Sequence, residues 1–360
     1  MTNWQTQYTD ETIPLLLQAI RGDELSRPPI WMMRQAGRYM AEYQAIRQNV
    51  SFVELCKNVD LATEVSLQPI HAFDMDAAIM FSDILVPVEA MGVPFEIGDG
   101  GPKLKQTMRT QEDIDQLVIP DPNQSMPYVM NILGSLRQEL KQFPDNKALI
   151  GFAGAPWTLA TYMIEGGSSK HFTHIKTMMY SEPKLLHQLL DKLAQTVTLY
   201  LNAQIEAGAQ VVQLFDTWAG LLPKALYQEF VLPYHQQIID QLHRDKAPVV
   251  LYVNRSAHLL ELMQQAKPDV ISVDELTALP EARQRLGHEI TLQGNLDQTM
   301  LFGNADVLKA RVETLLKEGG NRHYIFNLGH GILPKTPTDN VRLVVNTVKA
   351  HSHQKEAALV

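Results

Sequence analysis

A chain of 360 residues carries 31 Lys plus Arg against 40 Asp plus Glu, a formal charge of −9, so nucleic acid is repelled unless basic side chains gather in one place. Hydrophobic residues at 45% and charged residues at 20% exclude a disordered chain. The single cysteine, Cys56, excludes an internal disulfide framework and a zinc centre needing two thiolates from one chain, and with no run of about 18 apolar residues and no signal-type start we expect a cytoplasmic protein with no membrane anchor.

In chain order, eight short apolar runs end in polar residues or glycine, and helical stretches follow most of them. The predicted strands are Pro29 to Met33, Ala77 to Phe81, Ala148 to Phe152, Gln210 to Phe215, Pro248 to Val253, Val270 to Val273, Ile290 to Gln293 and His323 to Asn327. Among the intervening helical stretches, Pro183 to Gly208 repeats apolar residues at spacings of three and four. Strand and helix in alternation imply right-handed parallel crossovers, and eight units close a single (β/α)8 TIM barrel with its active-site cleft at the C-terminal ends of the strands. An open doubly wound sheet is the alternative, but no GxGxxG or GxxxxGK[ST] loop follows any strand to cradle a phosphate. We read residues 1–360 as one domain, ordered over roughly 10–350, with a frayed tail from His351. Residues 94–127, which include Gly98, Gly100, Gly101, Pro120 and Pro122, form a long excursion between the second and third strands.

In such a barrel the chemistry sits in the loops after the strands, and those loops are rich in polar residues here. Arg34, Gln35, Ala36, Gly37 and Arg38 follow the first run, with Arg47 further on; Asp83 follows the second, Tyr162 the third, Thr217 the fourth and His330 the eighth. Arg34 and Arg38 are four apart, so a helical turn would put both guanidinium forks on one side, ready to grip carboxylates or to lie on a solvated face beside Glu42. Asp83, directly after a buried run, needs a cationic or N–H partner or else caps the next helix. His330 stands between Gly329 and Gly331, which expose its ring.

Six blocks in sequence order carry a resemblance: WMMRQAGRYMAEY from Trp31, FSDIL from Phe81, GFAGAPWTLATYMIEGG from Gly151, LFDTWAG from Leu214, LQGNLD from Leu292 and NLGHGILP from Asn327. Together the blocks resemble the uroporphyrinogen decarboxylase family over nearly the whole chain. The resemblance implies a homodimer of single barrels that uses neither metal nor organic cofactor and converts uroporphyrinogen III to coproporphyrinogen III. It places substrate contacts on Arg34, Gln35, Ala36, Gly37, Arg38, Asp83, Tyr162, Thr217 and His330, with Arg47 as a further carboxylate anchor. By the same resemblance Asp83 stabilises a ring cation, and His330 and an arginine-linked water are alternative proton donors. Three departures stand out: Thr217 where the family often has Ser, Asn254 where Lys is common, and Glu275 where Trp is usual. Two further classes remain open, a corrinoid-linked methyltransferase and a non-catalytic binder of polycarboxylates or tetrapyrroles. The first needs more thiolates than Cys56 supplies.

Overall fold

The computed structural model describes residues 4, 5, 8, 13–98 and 101–352, and of the predicted tail only His351 and Ser352 lie within that range. Seven strands run parallel in one sheet, in the order β1 (Ala77–Ile79), β4 (Ala148–Gly154), β5 (Val211–Asp216), β6 (Val249–Val253), β7 (Val270–Ser272), β8 (Thr291–Leu296) and β9 (Tyr324–Leu328). Two more strands, β2 (Phe95–Gly98) and β3 (Gly101–Leu104), pair antiparallel as a separate hairpin. Every residue of β4, β5 and β6 is buried. Both faces of such strands are covered, which is why they read as unbroken apolar runs with no alternation. Among the described residues no helix is long and apolar enough to cross a membrane.

The predicted long helix spans Pro183–Glu206, opens on proline and buries a leucine stripe from Leu185 to Leu201. Near its end Gln204 docks on β4: its Oε1 accepts the Phe152 N–H at 2.8 Å and its Nε2 donates to the Phe152 carbonyl at 2.9 Å. The excursion over 94–127 is more ordered than its Gly and Pro content suggests. It holds the β2–β3 hairpin and two short helices, Gln111–Asp115 and Pro122–Ser125. The first helix starts with a reciprocal capping box between Thr110 and Asp113, the second with Asp121 accepting the Asn123 N–H.

The predicted first strand does not form. Residues 29–33 make a single isolated bridge, Ile30 with Phe326 on β9. Pro28 and Pro29 have no N–H to donate, and side chains take up most of the donors that follow. The Ile30 N–H bonds to Asp76 Oδ2 at 2.8 Å, Met32 N–H to Gln35 Oε1 at 3.0 Å and Met33 N–H to Asn327 Oδ1 at 3.0 Å. The segment still touches both neighbours through its carbonyls. Pro29 O accepts from Phe326 N–H at 2.9 Å, and Ile30 O accepts from Asp76 N–H at 2.9 Å, just before β1. Residues 29–33 therefore form a seam between β9 and β1, bonded to Phe326 through Pro29 and Trp31 and to Asp76 through Ile30.

Asp76 is the hub of that seam. It is 4% exposed and receives two bonds from Arg27, Nη1 to Oδ2 at 2.7 Å and Nη2 to Oδ1 at 2.9 Å, besides the Ile30 N–H. Asp76→Ala would leave a partly buried guanidinium and a buried backbone donor without their acceptor, so we expect a stability loss of about 3 kcal/mol. Urea unfolding at pH 7 measures it, and a loss below about 1 kcal/mol would show that the seam holds without the carboxylate.

Candidate active site

The first polar loop is a turn and not a helix, which corrects the reason for pairing Arg34 with Arg38. The next helix begins only at Ala41. Arg34 adopts φ 61°, left-handed for a residue with a side chain. Its neighbours on either side are tied down, Met33 N–H to Asn327 and Gln35 Nε2 to the Ala77 carbonyl at 2.9 Å. The Gln35 side chain is buried, with both ends of its amide engaged, so it builds the loop from within. Ala36 and Gly37 are half-buried and Arg38 is exposed. Among the described residues no ion pair joins Arg38 to Glu42.

Arg34 crosses the face of Gly331, where a Cβ would stand 2.4 Å from Arg34 Cδ. A Cβ at Gly329 would stand 2.4 Å from Glu275 Oε2. Neither glycine has a positive φ. The pair that brackets His330 is therefore required by space and not by a bend. His330 Nδ1 accepts the Gly331 N–H at 2.7 Å, which leaves the ring proton on Nε2. Burial, helped by the Arg34 charge, pushes the imidazole down to about 4, so His330 is neutral at pH 7 in the free protein. Its ring meets Tyr252 edge-on at 6.5 Å, and the Tyr252 hydroxyl donates to the Gly329 carbonyl at 3.0 Å.

Asp83 lies in the loop after β1. Its Oδ1 accepts the Leu85 N–H at 2.8 Å, at the start of the helix Val86–Ala90, and among the described residues no hydrogen bond engages Oδ2. One oxygen thus shapes the turn while the other is available to a ligand. Burial raises the carboxyl above its ordinary range, and the Leu85 N–H and the Arg34 charge only partly offset it. Tyr162, on the helix Pro156–Glu165, is half-buried and raised by burial and by the nearby Asp83. Its ring packs edge-on against Trp218 at 6.2 Å, next to Thr217 in the turn after β5. Arg34, Asp83, Tyr162 and His330 therefore share one electrostatic neighbourhood, with Thr217 adjoining it through Trp218.

Arg47 stands apart from this group. It donates to the Val50 carbonyl and lies 6.0 Å from the centre of the Phe52 ring. Its charge opposes that of Asp83 at the buried Cys56 thiol, which burial holds far above its usual range. Sequence reasoning missed Tyr252 and gave Trp218 and Glu275 no role in the site. Tyr252 lies inside an apolar run, where a tyrosine gives no sign of direction. Glu275 was visible only as a departure; it is half-buried and raised mainly by burial, and among the described residues its Oε2 has no hydrogen-bond partner. Among the described residues no three His, Cys, Asp or Glu side chains group to hold a metal ion.

Similarity to known proteins follows the same outline. The chain is 49% identical over 341 residues to uroporphyrinogen decarboxylase of Crocosphaera subtropica, covering 93% of this chain and 95% of that protein. It is 48% identical over 342 residues to the enzyme of that name from Synechocystis sp., covering 94% and 97%. Among solved structures, a methyltransferase from Methanosarcina mazei superposes with a TM-score of 0.78 at 22% identity, covering 93% of this chain and 97% of that one. That likeness speaks for the fold alone. The family model described as Uroporphyrinogen decarboxylase (URO-D) matches residues 11–351, and the chain belongs to this family.

Proposed function

We propose that the chain removes the four acetate carboxyl groups of uroporphyrinogen III as CO2, leaving methyl groups and yielding coproporphyrinogen III, with no metal or organic cofactor. The observation that carries this reading is Asp83, a desolvated carboxyl with one oxygen uncommitted, set beside Arg34, Tyr162 and His330. Full-length relatives named for the reaction supply the substrate. Neighbouring features support the rest of the expected organisation. The bonds of Pro29 and Trp31 to Phe326 and of Ile30 to Asp76 fit a closed (β/α)8 barrel of one domain, and a cytoplasmic homodimer is what the family resemblance implies.

The chemistry follows from the substrate. Protonation of a pyrrole carbon makes the ring a cation, the bond to the acetate carboxylate breaks, CO2 leaves, and its electron pair neutralises the ring. The methylene so formed takes a proton to become methyl as the ring carbon gives one up, so each acetate consumes one proton net. Asp83 accepts pyrrole N–H bonds through Oδ2 and stabilises the cation in a site with little water, where such a term is worth several kcal/mol. Arg34 and Arg38, with Arg47 further out, anchor carboxylates; Tyr162, Thr217 and the Nε2–H of His330 donate to others. A neutral His330 is a hydrogen-bond donor more than an acid, which favours an arginine-held water as the proton source.

The reading makes three checkable statements. Asp83→Asn folds and loses on the order of 100- to 1000-fold in CO2 release, since an amide cannot offset the ring charge; near-normal turnover would remove Asp83 from the mechanism. Arg38→Lys weakens binding of a porphyrin product in a fluorescence titration by about tenfold, because a point charge replaces a planar fork, and equal affinity would return Arg38 to solvent. Anaerobic activity survives exhaustive EDTA, and Cys56→Ser keeps its turnover per folded molecule. Loss on chelation with recovery on adding zinc would instead favour the methyltransferase class.

A further inference from the structure

Behind the mouth lies a buried polar chain that the reaction above does not use. Thr158, Asp216, Tyr227 and His235 are all fully buried. Asp216, the last residue of β5, receives the Thr158 hydroxyl on Oδ1 at 2.6 Å and faces His235 Nε2 with Oδ2 at 2.9 Å. An acceptor-only carboxylate accepts a hydrogen bond from Nε2–H, and His235 Nδ1 shares a hydrogen bond with the Tyr227 hydroxyl 3.1 Å away. The Thr158 oxygen also accepts the Trp218 N–H at 3.2 Å. Every member of the chain is satisfied, and none of its side chains reaches the mouth.

Two spacings give the chain a consequence. Thr158 and Tyr162 are four apart on the helix Pro156–Glu165 and share a face. Asp216 immediately precedes Thr217, and the Trp218 amide immediately follows it. The Thr158–Asp216 bond therefore fastens the helix bearing Tyr162 to the strand end bearing Thr217, and the bond from Trp218 fixes the far side of the same residue. Trp218 completes the link by packing against the Tyr162 ring. We propose that Thr158 and Asp216, braced by His235 and Tyr227, are positioning residues that set the distance between the Thr217 and Tyr162 hydroxyls and so the fit of a substrate carboxylate. This rests on reading Thr217 and Tyr162 as substrate contacts.

The test is a double-mutant cycle between Thr158→Val and Thr217→Ala, read as kcat and KM for uroporphyrinogen. Thr158→Val keeps the shape and removes both bonds; we expect KM to rise about 3- to 10-fold with kcat within about twofold. Thr158→Ser restores KM, and in the Thr217→Ala background the effect of Thr158→Val falls below about twofold. The same KM factor in both backgrounds, or lost stability with unchanged constants, would overturn the proposal. Should Thr158→Val fail to fold, Tyr227→Phe carries the same cycle with an expected rise of about two- to threefold. Hydrogen exchange at the Trp218 amide needs no substrate: Thr158→Val should speed it about 3- to 10-fold while Thr158→Ser leaves it unchanged. If wild type releases no CO2, the reaction assigned above fails while the exchange rates still decide the clamp, and equal rates in Thr158→Val and wild type would overturn it.

Discussion

Pro28 and Pro29 bring no N–H to the segment that lies between β9 and β1, so its few backbone bonds are supplemented by side chains bonding to backbone. Asp76, Gln35 and Asn327 each take one donor from the segment, at 2.8, 3.0 and 3.0 Å. Each such bond is worth on the order of 1 kcal/mol net and more where a charge takes part. Their geometric effect is larger than their energy. With Met33 held by Asn327 and Gln35 by Ala77, Arg34 is left to bridge two fixed points, and it does so in the left-handed region with its side chain laid across Gly331. The loop that carries the central cation is thus a product of how residues 29–33 are held between β9 and β1.

A second polar layer ties the seam to the opposite strands. Trp31 Nε1 donates to Gln293 Oε1 at 2.9 Å, and Gln293 Nε2 donates to Gln213 Oε1 at 3.1 Å and to Ser272 Oγ at 3.0 Å. The four residues come from the seam, β8, β5 and β7, and all are buried. They carry no formal charge, so burial costs far less than an ion pair would, while each unmet bond would cost about 1 to 3 kcal/mol. A network of this kind favours one arrangement of the strands over neighbouring registers.

Arg34 then acts on four titrating neighbours, Asp83, Tyr162, Tyr252 and His330, and at two of them the signs decide the outcome. At His330 burial and the positive charge push the same way, so the shift is large and the ring is neutral. At Asp83 they oppose each other, burial wins, and the carboxyl ends above its ordinary value. The consequences for stability also oppose. Between about 4 and 6.5 the unfolded chain binds a proton that folded His330 refuses, so acid weakens the fold there. A carboxyl raised in the fold binds more protons folded than unfolded, so Asp83 contributes stability below its unfolded value and loses it as pH rises through the folded one. At both groups burial disfavours the charged form.

Seven of the eight predicted strands formed, because parallel strands covered on both faces leave unbroken apolar runs, as in ALIGF and PVVLYV, while the β2–β3 hairpin went unread. The capping box at Thr110, though a pattern of local contacts, went unread inside the stretch taken as a long excursion. The six motif blocks carried the family, and with it Asp83, Tyr162 and His330 as members of one mouth. What sequence could not show were contacts between distant positions. Asp76 reaches Ile30 across 46 residues and Asn327 reaches Met33 across 294, and these bonds turn a predicted strand into a seam and a predicted helical turn into a left-handed loop. The glycines beside His330 looked like bends and proved to be clearances for Arg34 and Glu275. Sequence by itself determined which segments are apolar enough to be strands and which polar residues follow them; tertiary structure alone decided which donors those residues satisfy, because a hydrogen bond depends on distance in space and leaves no period along the chain.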